Sequence, residues 1–188
     1  MKRLTCALTV LGLATATPGF AADLPKFEEI VKKAEARFVP DKAKPGQIVT
    51  LKINIELING WHTYPLTQPD KGAKSQTNRV AFPTGGPIVF VDTTLDPVNP
   101  KEKAEPLLGI ERMHYYPGGG VWDRKAVVVP SAQAGKLSSK VKFTLLICDK
   151  DNCLAPKVLE LEANLEVAGD PVPVDPKYRD EVEKALKK

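Results

Sequence analysis

Two runs of strict alternation near the end of the chain constrain its fold more than any other feature. Val141, Phe143, Leu145 and Ile147 alternate with Lys142, Thr144, Leu146 and Cys148; after a polar turn, Leu159, Leu161, Ala163, Leu165 and Val167 alternate with Glu160, Glu162, Asn164 and Glu166. A period of two puts each apolar set on one face of a strand. Two such runs around a short turn predict an antiparallel hairpin, with Cys148, Asp149 to Asn152 and Cys153 at its tip. Cys148 belongs to the set opposite Leu145 and Ile147, so it is expected to point away from the core, an unusual place for a structural thiol.

A hairpin tip can bring both cysteines within bonding reach, and the residues leave several uses open. As a staple, a loop of about six residues is worth roughly 2 kcal/mol on the chain-entropy model, against ~3 for fifteen. As an exchange pair, a short, outward-facing disulfide gives an incoming thiolate the in-line access it needs. As ligands, two thiolates with one or two imidazoles and Met113 could bind Zn²⁺ or Cu(I), although the spacing is not that of a zinc ribbon. A non-catalytic sandwich that binds a partner through its sheet and loops, with the disulfide inert, is a further reading.

The compartment follows from the first residues. Lys2 and Arg3 precede an apolar stretch from Leu4 to Leu13, and Gly19-Phe20-Ala21-Ala22 offers a small-x-small cut after Ala21, so residues 1–21 are read as a cleaved secretory signal peptide. Cys6 leaves with it, and the two remaining cysteines enter a compartment where disulfides persist. Loss of Lys2 and Arg3 takes the formal net charge from +4 to +2, and the other charges are interspersed without a basic cluster. Nucleic acid is therefore not an expected partner. No later stretch reaches the ~18 apolar residues of a membrane span, so no membrane insertion of the mature chain is expected.

Along the rest of the chain, Leu24, Phe27, Ile30, Val31 and Ala34 recur at helical spacing and predict an N-terminal helical arm over 22–35. A domain over 36–168 follows. Its clearest strand carries Val49, Leu51, Ile53, Ile55 and Leu57 on one face, and Asn59-Gly60 predicts a tight turn into Trp61-His62-Thr63-Tyr64. Leu66 to Ser75 and the lysine- and glutamate-rich Pro97 to Pro106 read as exposed loops, with short strands at Arg79 to Phe82 and Ile88 to Val91. An apolar and aromatic segment from Leu107 to Tyr116 leads through Pro117-Gly118-Gly119-Gly120 into a strand over Val121 to Val129. Short strands punctuated by seventeen prolines and thirteen glycines predict an all-β antiparallel sandwich. The proline-punctuated tail over 169–188 ends in a short helix from Tyr178 to Leu186, whose charges predict a solvated face.

The run Asn59-Gly60-Trp61-His62-Thr63-Tyr64, a glycine-rich aromatic loop before a strand, and Cys148-x4-Cys153-Leu154-x-Pro156 together resemble the N-terminal periplasmic domain of the thiol:disulfide interchange protein DsbD, over roughly Ala36 to Val167. The resemblance implies an immunoglobulin-like antiparallel β-sandwich whose two cysteines cycle between dithiol and disulfide. It implies electrons received from a membrane-embedded donor and passed to periplasmic thioredoxin-like proteins, of the disulfide isomerase or cytochrome c maturation type. It also implies an aromatic cap loop, by position Met113-His114-Tyr115-Tyr116, with Tyr115 or Tyr116 as the lid. The chain departs from the family in its spacing, since some members carry one more residue between the cysteines, and in having Met113 and His114 where the family has acids. It also lacks the transmembrane and thioredoxin-like domains, so the expected donor is a separate protein.

The expected site is therefore Cys148 and Cys153 as the reacting pair, shaped by Met113, His114, Tyr115, Tyr116, His62, Tyr64, Asp149 and Asp151, with no cofactor and no resident metal. Asp149 and Asp151 either raise the thiol pKa through like charge or serve only turn geometry. His114 is the candidate for assisting proton transfer, against the reading that both histidines are packed or surface residues without a role.

Overall fold

The computed structural model describes residues 24–187, so the expected signal peptide and Cys6 lie outside the described residues. In chain order the elements are α1 (Phe27–Ile30), β1 (Val31–Val39), β2 (Lys42–Ala43), β3 (Ile48–Leu57), β4 (His62–Thr63), β5 (Arg79–Ala81) and β6 (Ile88–Phe90). Then follow β7 (Lys101–Glu105), β8 (Ile110–Pro117), β9 (Gly119–Val128), β10 (Gly135–Leu145), β11 (Ile147–Cys148), β12 (Lys157–Val167) and α2 (Arg179–Leu186). The strands form sheets in the orders β1-β3-β9-β6, β2-β12-β10-β5 and β11-β4-β8-β7. The chain is an all-β sandwich, antiparallel except where β2 runs parallel to β12, with short terminal helices.

The first two sheets face each other across the main core. Val49, Leu51, Ile53, Ile55 and Leu57 of β3 and Trp122, Ala126 and Val128 of β9 meet Val141, Phe143 and Leu145 of β10 and Leu161, Ala163, Leu165 and Val167 of β12. The alternation read from the sequence builds this interface directly, because one face of each strand is apolar and the other is charged. On the outer face of β10 and β12 the charges sit opposite their complements, with Lys142 paired to Glu160 and Lys140 to Glu162 in register. Gly119 lets β9 start hard against β3: at φ +105°, an added Cβ would stand 2.0 Å from the carbonyl oxygen of Ile55.

Several expectations need correction. The N-terminal helix is confined to Phe27–Ile30, and the chain is already strand at Val31, because residues from Val31 to Val39 take their hydrogen bonds from β3 in register Ala34↔Ile55 to Val39↔Thr50. A ladder along a full strand overrides a helical spacing that would give only two or three turns. The polar stretch expected as loop contains β7, which pairs with β8 as Lys101↔Tyr115, Glu102↔His114 and Lys103↔Met113. Its lysines and glutamates are an edge strand's charges. Met113 to Tyr116, expected as a cap loop, lie within β8. The tail is not wholly solvated either: Tyr178 and Val182 are buried against Val89, Val91, Val127 and Val129 on the outer face of β6 and β9.

The third sheet arises where the expected long hairpin divides. Pairing between β10 and β12 ends at Leu145↔Lys157, and the next two residues, Ile147 and Cys148, pair instead with Thr63 and His62. The residue at the break, Leu146, would have unpaired backbone groups inside the protein. The Asn78 side chain, 1% exposed, accepts from Leu146 N at 2.9 Å, and the Thr63 hydroxyl donates to Leu146 O at 2.8 Å. Asn78 Nδ2 in turn donates to Thr63 Oγ1 at 2.9 Å and to the Tyr64 carbonyl. One amide thus joins the end of β10 to β4. Asn78→Ala is expected to cost roughly 2–4 kcal/mol, because it strands a buried N–H and two further partners at once; the urea midpoint measures this, and a loss under about 1 kcal/mol would contradict the assigned role.

Candidate functional site

The turn at the end of β11 is built by its own backbone and by Asp149. Asp149 N donates to Asn152 O at 2.8 Å, and Leu154 N donates to Ile147 O at 3.0 Å. The Asp149 carboxylate accepts from Asn152 N at 2.5 Å and Asp151 N at 2.7 Å. These bonds, that to Asn152 first, hold its carboxyl below the usual range. Asp149 therefore closes the turn, while Asp151 stays exposed and paired with Lys150 at 3.3 Å. Across this turn Cys148 and Cys153 face each other as bridge partners and are joined by a disulfide.

The two sulfur-bearing residues differ sharply in environment. Cys153 is exposed, and Cys148 is 1% exposed. The expectation that Cys148 points outward is corrected: it does lie opposite Ile147, but the third sheet makes that second face an interior. Residues on the same face as Cys148 follow from register. His62 is its direct partner across β4, and Tyr64 is two residues on, while Met113 and Tyr115 come from β8. Cys148, Tyr64, Met113, Leu146, Ala73 and Ile110 form one buried cluster, with Tyr115 packed against it.

His62 is 8% exposed, and its ring stands edge-on to Tyr64 at 5.3 Å and to Tyr115 at 5.1 Å between centroids. Its Nε2 shares a hydrogen bond with the Tyr64 hydroxyl at 3.1 Å. Burial, reinforced by Lys103 and opposed by Asp149 and Glu105, holds the His62 pKa down at about 4. Burial likewise raises that of Tyr64 to about 12. Lys103, 5.6 Å over the Tyr115 ring, is tied to Glu105 at 2.9 Å. A groove of about 450 Å³ between the Asn59–Gly60–Trp61 turn and Pro117–Gly118 is lined also by His62 and Tyr115.

The remaining residues expected at the site lie on the other face of β8. Tyr116 is buried in the main core, where its hydroxyl donates to Pro97 O at 2.8 Å and its ring meets Trp122 edge-on. The His114 ring turns to Glu102, with Nε2 3.2 Å from the carboxylate. Alternation along a strand separates these two from Met113 and Tyr115, so a four-residue loop acting as a unit is replaced by two residues on each face. Of the two tyrosines considered for the lid, Tyr115 lies on the disulfide side.

Sequence reasoning missed the polar residues that fix this arrangement. Gln68 clamps the edge of β8, accepting from His114 N at 2.8 Å and donating to His114 O at 2.9 Å. Asp70 accepts from Glu111 N at 2.9 Å. The segment expected as an exposed loop is thus laced to β8 and places Ala73, fully buried, beside Cys148. The bonds by which Asp70 and Gln68 hold β8 and Asn78 holds Leu146 reach partners 41 to 68 residues away, which nothing local in the sequence marks. Among the described residues there is no group of three or more His, Cys, Asp or Glu placed to hold a metal ion.

No family model matches the chain, and no curated protein matches it. Among solved structures the chain is similar to the N-terminal periplasmic domain of ScsB from Proteus mirabilis, at 18% identity and a TM-score of 0.44, over 82% of this chain and 52% of that one. The chain thus spans about half the length of that structure. It is also similar to a type I cohesin–dockerin complex from Clostridium thermocellum, at 15% identity and a TM-score of 0.31, over 73% of this chain and 100% of that one. A third likeness is to AggA, the major subunit of aggregative adherence fimbriae type I from Escherichia coli, at 13% identity and a TM-score of 0.31, over 72% and 95% of the two chains. None of these likenesses bears on what the chain does.

The buried imidazole has a consequence for stability. His62 takes its proton near pH 6.5 in the unfolded chain and near 4 in the folded one, so unfolding binds a proton throughout that interval. The stabilisation from a neutral His62 is present above about pH 6.5 and is lost as pH falls towards 4. Denaturant titrations at pH 7 and pH 4 are expected to show a loss on the order of 2–3 kcal/mol in the wild type that His62→Gln lacks; equal losses in both proteins would contradict the buried, neutral assignment.

Proposed function

We propose that the chain is a periplasmic thiol–disulfide exchange carrier that passes electrons through the Cys148/Cys153 couple. The observation that carries this reading is the asymmetry of the disulfide: Cys153 is exposed at the end of a tight turn, and Cys148 is buried behind it. Exchange requires in-line approach to one sulfur and departure of the other. An exposed Cys153 permits the approach. A covered Cys148 withholds its own sulfur from small reagents, so attack is directed to Cys153.

In the forward direction a partner thiolate attacks the Cys153 sulfur, the disulfide breaks, and the electron pair passes to the sulfur of Cys148. The partner's second thiolate then attacks its own sulfur in the mixed disulfide and displaces Cys153. The chain leaves as dithiol and the partner as disulfide. Run in reverse with an oxidised acceptor, Cys153 attacks first and Cys148 resolves. The motif resemblance supports thioredoxin-like acceptors and a separate membrane-embedded donor as the two partners. Among the described residues no helix is long and apolar enough to cross a membrane.

A staple is disfavoured by its small reward. The disulfide joins residues five apart, which the chain-entropy model values at about 2 kcal/mol, and the Asp149 turn is already closed by hydrogen bonds.

Equilibration of the purified protein with glutathione or dithiothreitol, followed by thiol trapping, is expected to give a potential between roughly −180 and −270 mV. With it, Cys148→Ser is expected to accumulate a mixed disulfide through Cys153 on incubation with an oxidised thioredoxin-like protein, and Cys153→Ser to form at least ~100-fold less. A potential below about −300 mV, or equal trapping by the two variants, would remove the exchange reading.

A further inference from the structure

Attack at Cys153 leaves an electron pair on a sulfur that is 1% exposed and packed among Tyr64, Met113, Leu146, Ala73 and Ile110. A bare thiolate in such surroundings is costly, so the charge must be met by a proton or a cation. Lys103, on β7 at the far edge of the same sheet, is tied to Glu105 and lies over the Tyr115 ring. His62 is placed better. It is the direct register partner of Cys148 across the β4–β11 pair, and directly opposed side chains in antiparallel strands stand on one face with Cβ atoms about 4.5–5.5 Å apart. His62 also lines the groove beside Pro117 and Gly118, which gives it a side open to solvent.

We propose that His62 takes up a proton when the Cys148–Cys153 bond is reduced and gives it up when the bond re-forms, serving as the proton-handling residue of the couple. This rests on the exchange reading above. As the disulfide breaks, both bonding electrons pass to the Cys148 sulfur; of the two protons that the partner's dithiol releases to solvent on becoming a disulfide, one ends on the Cys153 thiol and the other on the imidazole, and the imidazolium stands beside the Cys148 thiolate or passes its proton on to give the thiol. Reoxidation reverses each transfer. The electrons come from the partner's dithiol.

The groups around His62 suit a ring that changes charge. The Tyr64 hydroxyl, 3.1 Å from Nε2, can donate to the neutral ring or turn to accept from the protonated one. Asp149 from the turn and Glu105 from β7 favour the cation, and Lys103 from β7 opposes it. Tyr115 from β8 supplies an aromatic wall. In the oxidised protein burial prevails and the ring is neutral; a thiolate at the register position is the added negative charge that reverses this balance. The residue expected from sequence to move a proton, His114, faces Glu102 on the other side of β8.

The chain has two histidines, so their ring signals separate cleanly in a heteronuclear NMR titration, with His62→Gln assigning one pair. The titration is run from pH 4 to 8 on the oxidised protein, on the dithiothreitol-reduced protein and on Cys153→Ser, which frees Cys148 without a reductant. The His62 midpoint is expected to rise by at least about one pH unit in the reduced protein and in Cys153→Ser. The rate of reduction by dithiothreitol at pH 7 is expected to fall about tenfold in His62→Gln, with loss of the inflection in its pH profile. An unchanged His62 midpoint on freeing Cys148 would overturn the proposal, and so would a pH–rate profile in His62→Gln that parallels the wild type. The two readings fail separately. A potential in the exchange range with a fixed His62 midpoint removes this inference alone; a shifted midpoint with a staple-like potential removes the carrier and leaves the coupling.

Discussion

The buried hydrogen bonds around Leu146 decide how the rest of the structure is arranged. A strand that ran straight through from Gly135 to Cys148 would end in a free hairpin tip, with both cysteines in solvent. Instead the ladder stops at Leu145, Asn78 and Thr63 take over the backbone groups of Leu146, and the next two residues join a different sheet. Buried backbone groups must be paired, so this switch is possible only where side chains of the right shape replace the missing strand. Asn suits the position because one amide both donates and accepts. The third sheet, the cover over Cys148 and the separation of the cysteines into a buried and an exposed partner all follow from that exchange of partners.

The chemistry of the site grows from the same packing. Once β11 lies beside β4, the residue opposite Cys148 is His62, and the face they share is closed by Tyr64, Met113 and Tyr115. Burial then keeps the imidazole neutral while the disulfide is intact. The carboxylate closest in sequence to the cysteines, Asp149, is engaged in holding the turn and is strongly bonded in its ionised form. Its charge is thus fixed, and the buried titratable group beside the pair is a histidine 86 residues before Cys148.

How much of this was legible depended on the range of the interactions involved. The alternation of Val141 to Leu145 and of Leu159 to Val167 led straight to paired strands, since period and pairing are properties of neighbours. The same alternation assigned Cys148 to the face away from Ile147, and that is where it lies; whether that face met water was a matter for β8 and for the segment around Ala73. Helical spacing at Phe27 to Ala34 misled, because a partner strand with a full ladder outweighs the periodicity of a few residues. Polar composition misled over Lys101 to Glu105, since an edge strand can be charged and still pair.

What the sequence determined by itself is the class of fold and the cysteine pair: a β sandwich from period-two strands, and two cysteines brought together across a short polar turn. These are local, and each is set by backbone geometry and neighbouring side chains. Which cysteine is shielded, which histidine accompanies it, and which of Tyr115 and Tyr116 faces the disulfide were decided by the tertiary structure alone. Those outcomes rest on register between strands far apart in sequence and on hydrogen bonds from Asn78, Gln68 and Asp70 to partners 41 to 68 residues away. A shift of one residue in the pairing of β4 or β8 would exchange their faces, because side chains alternate along every strand.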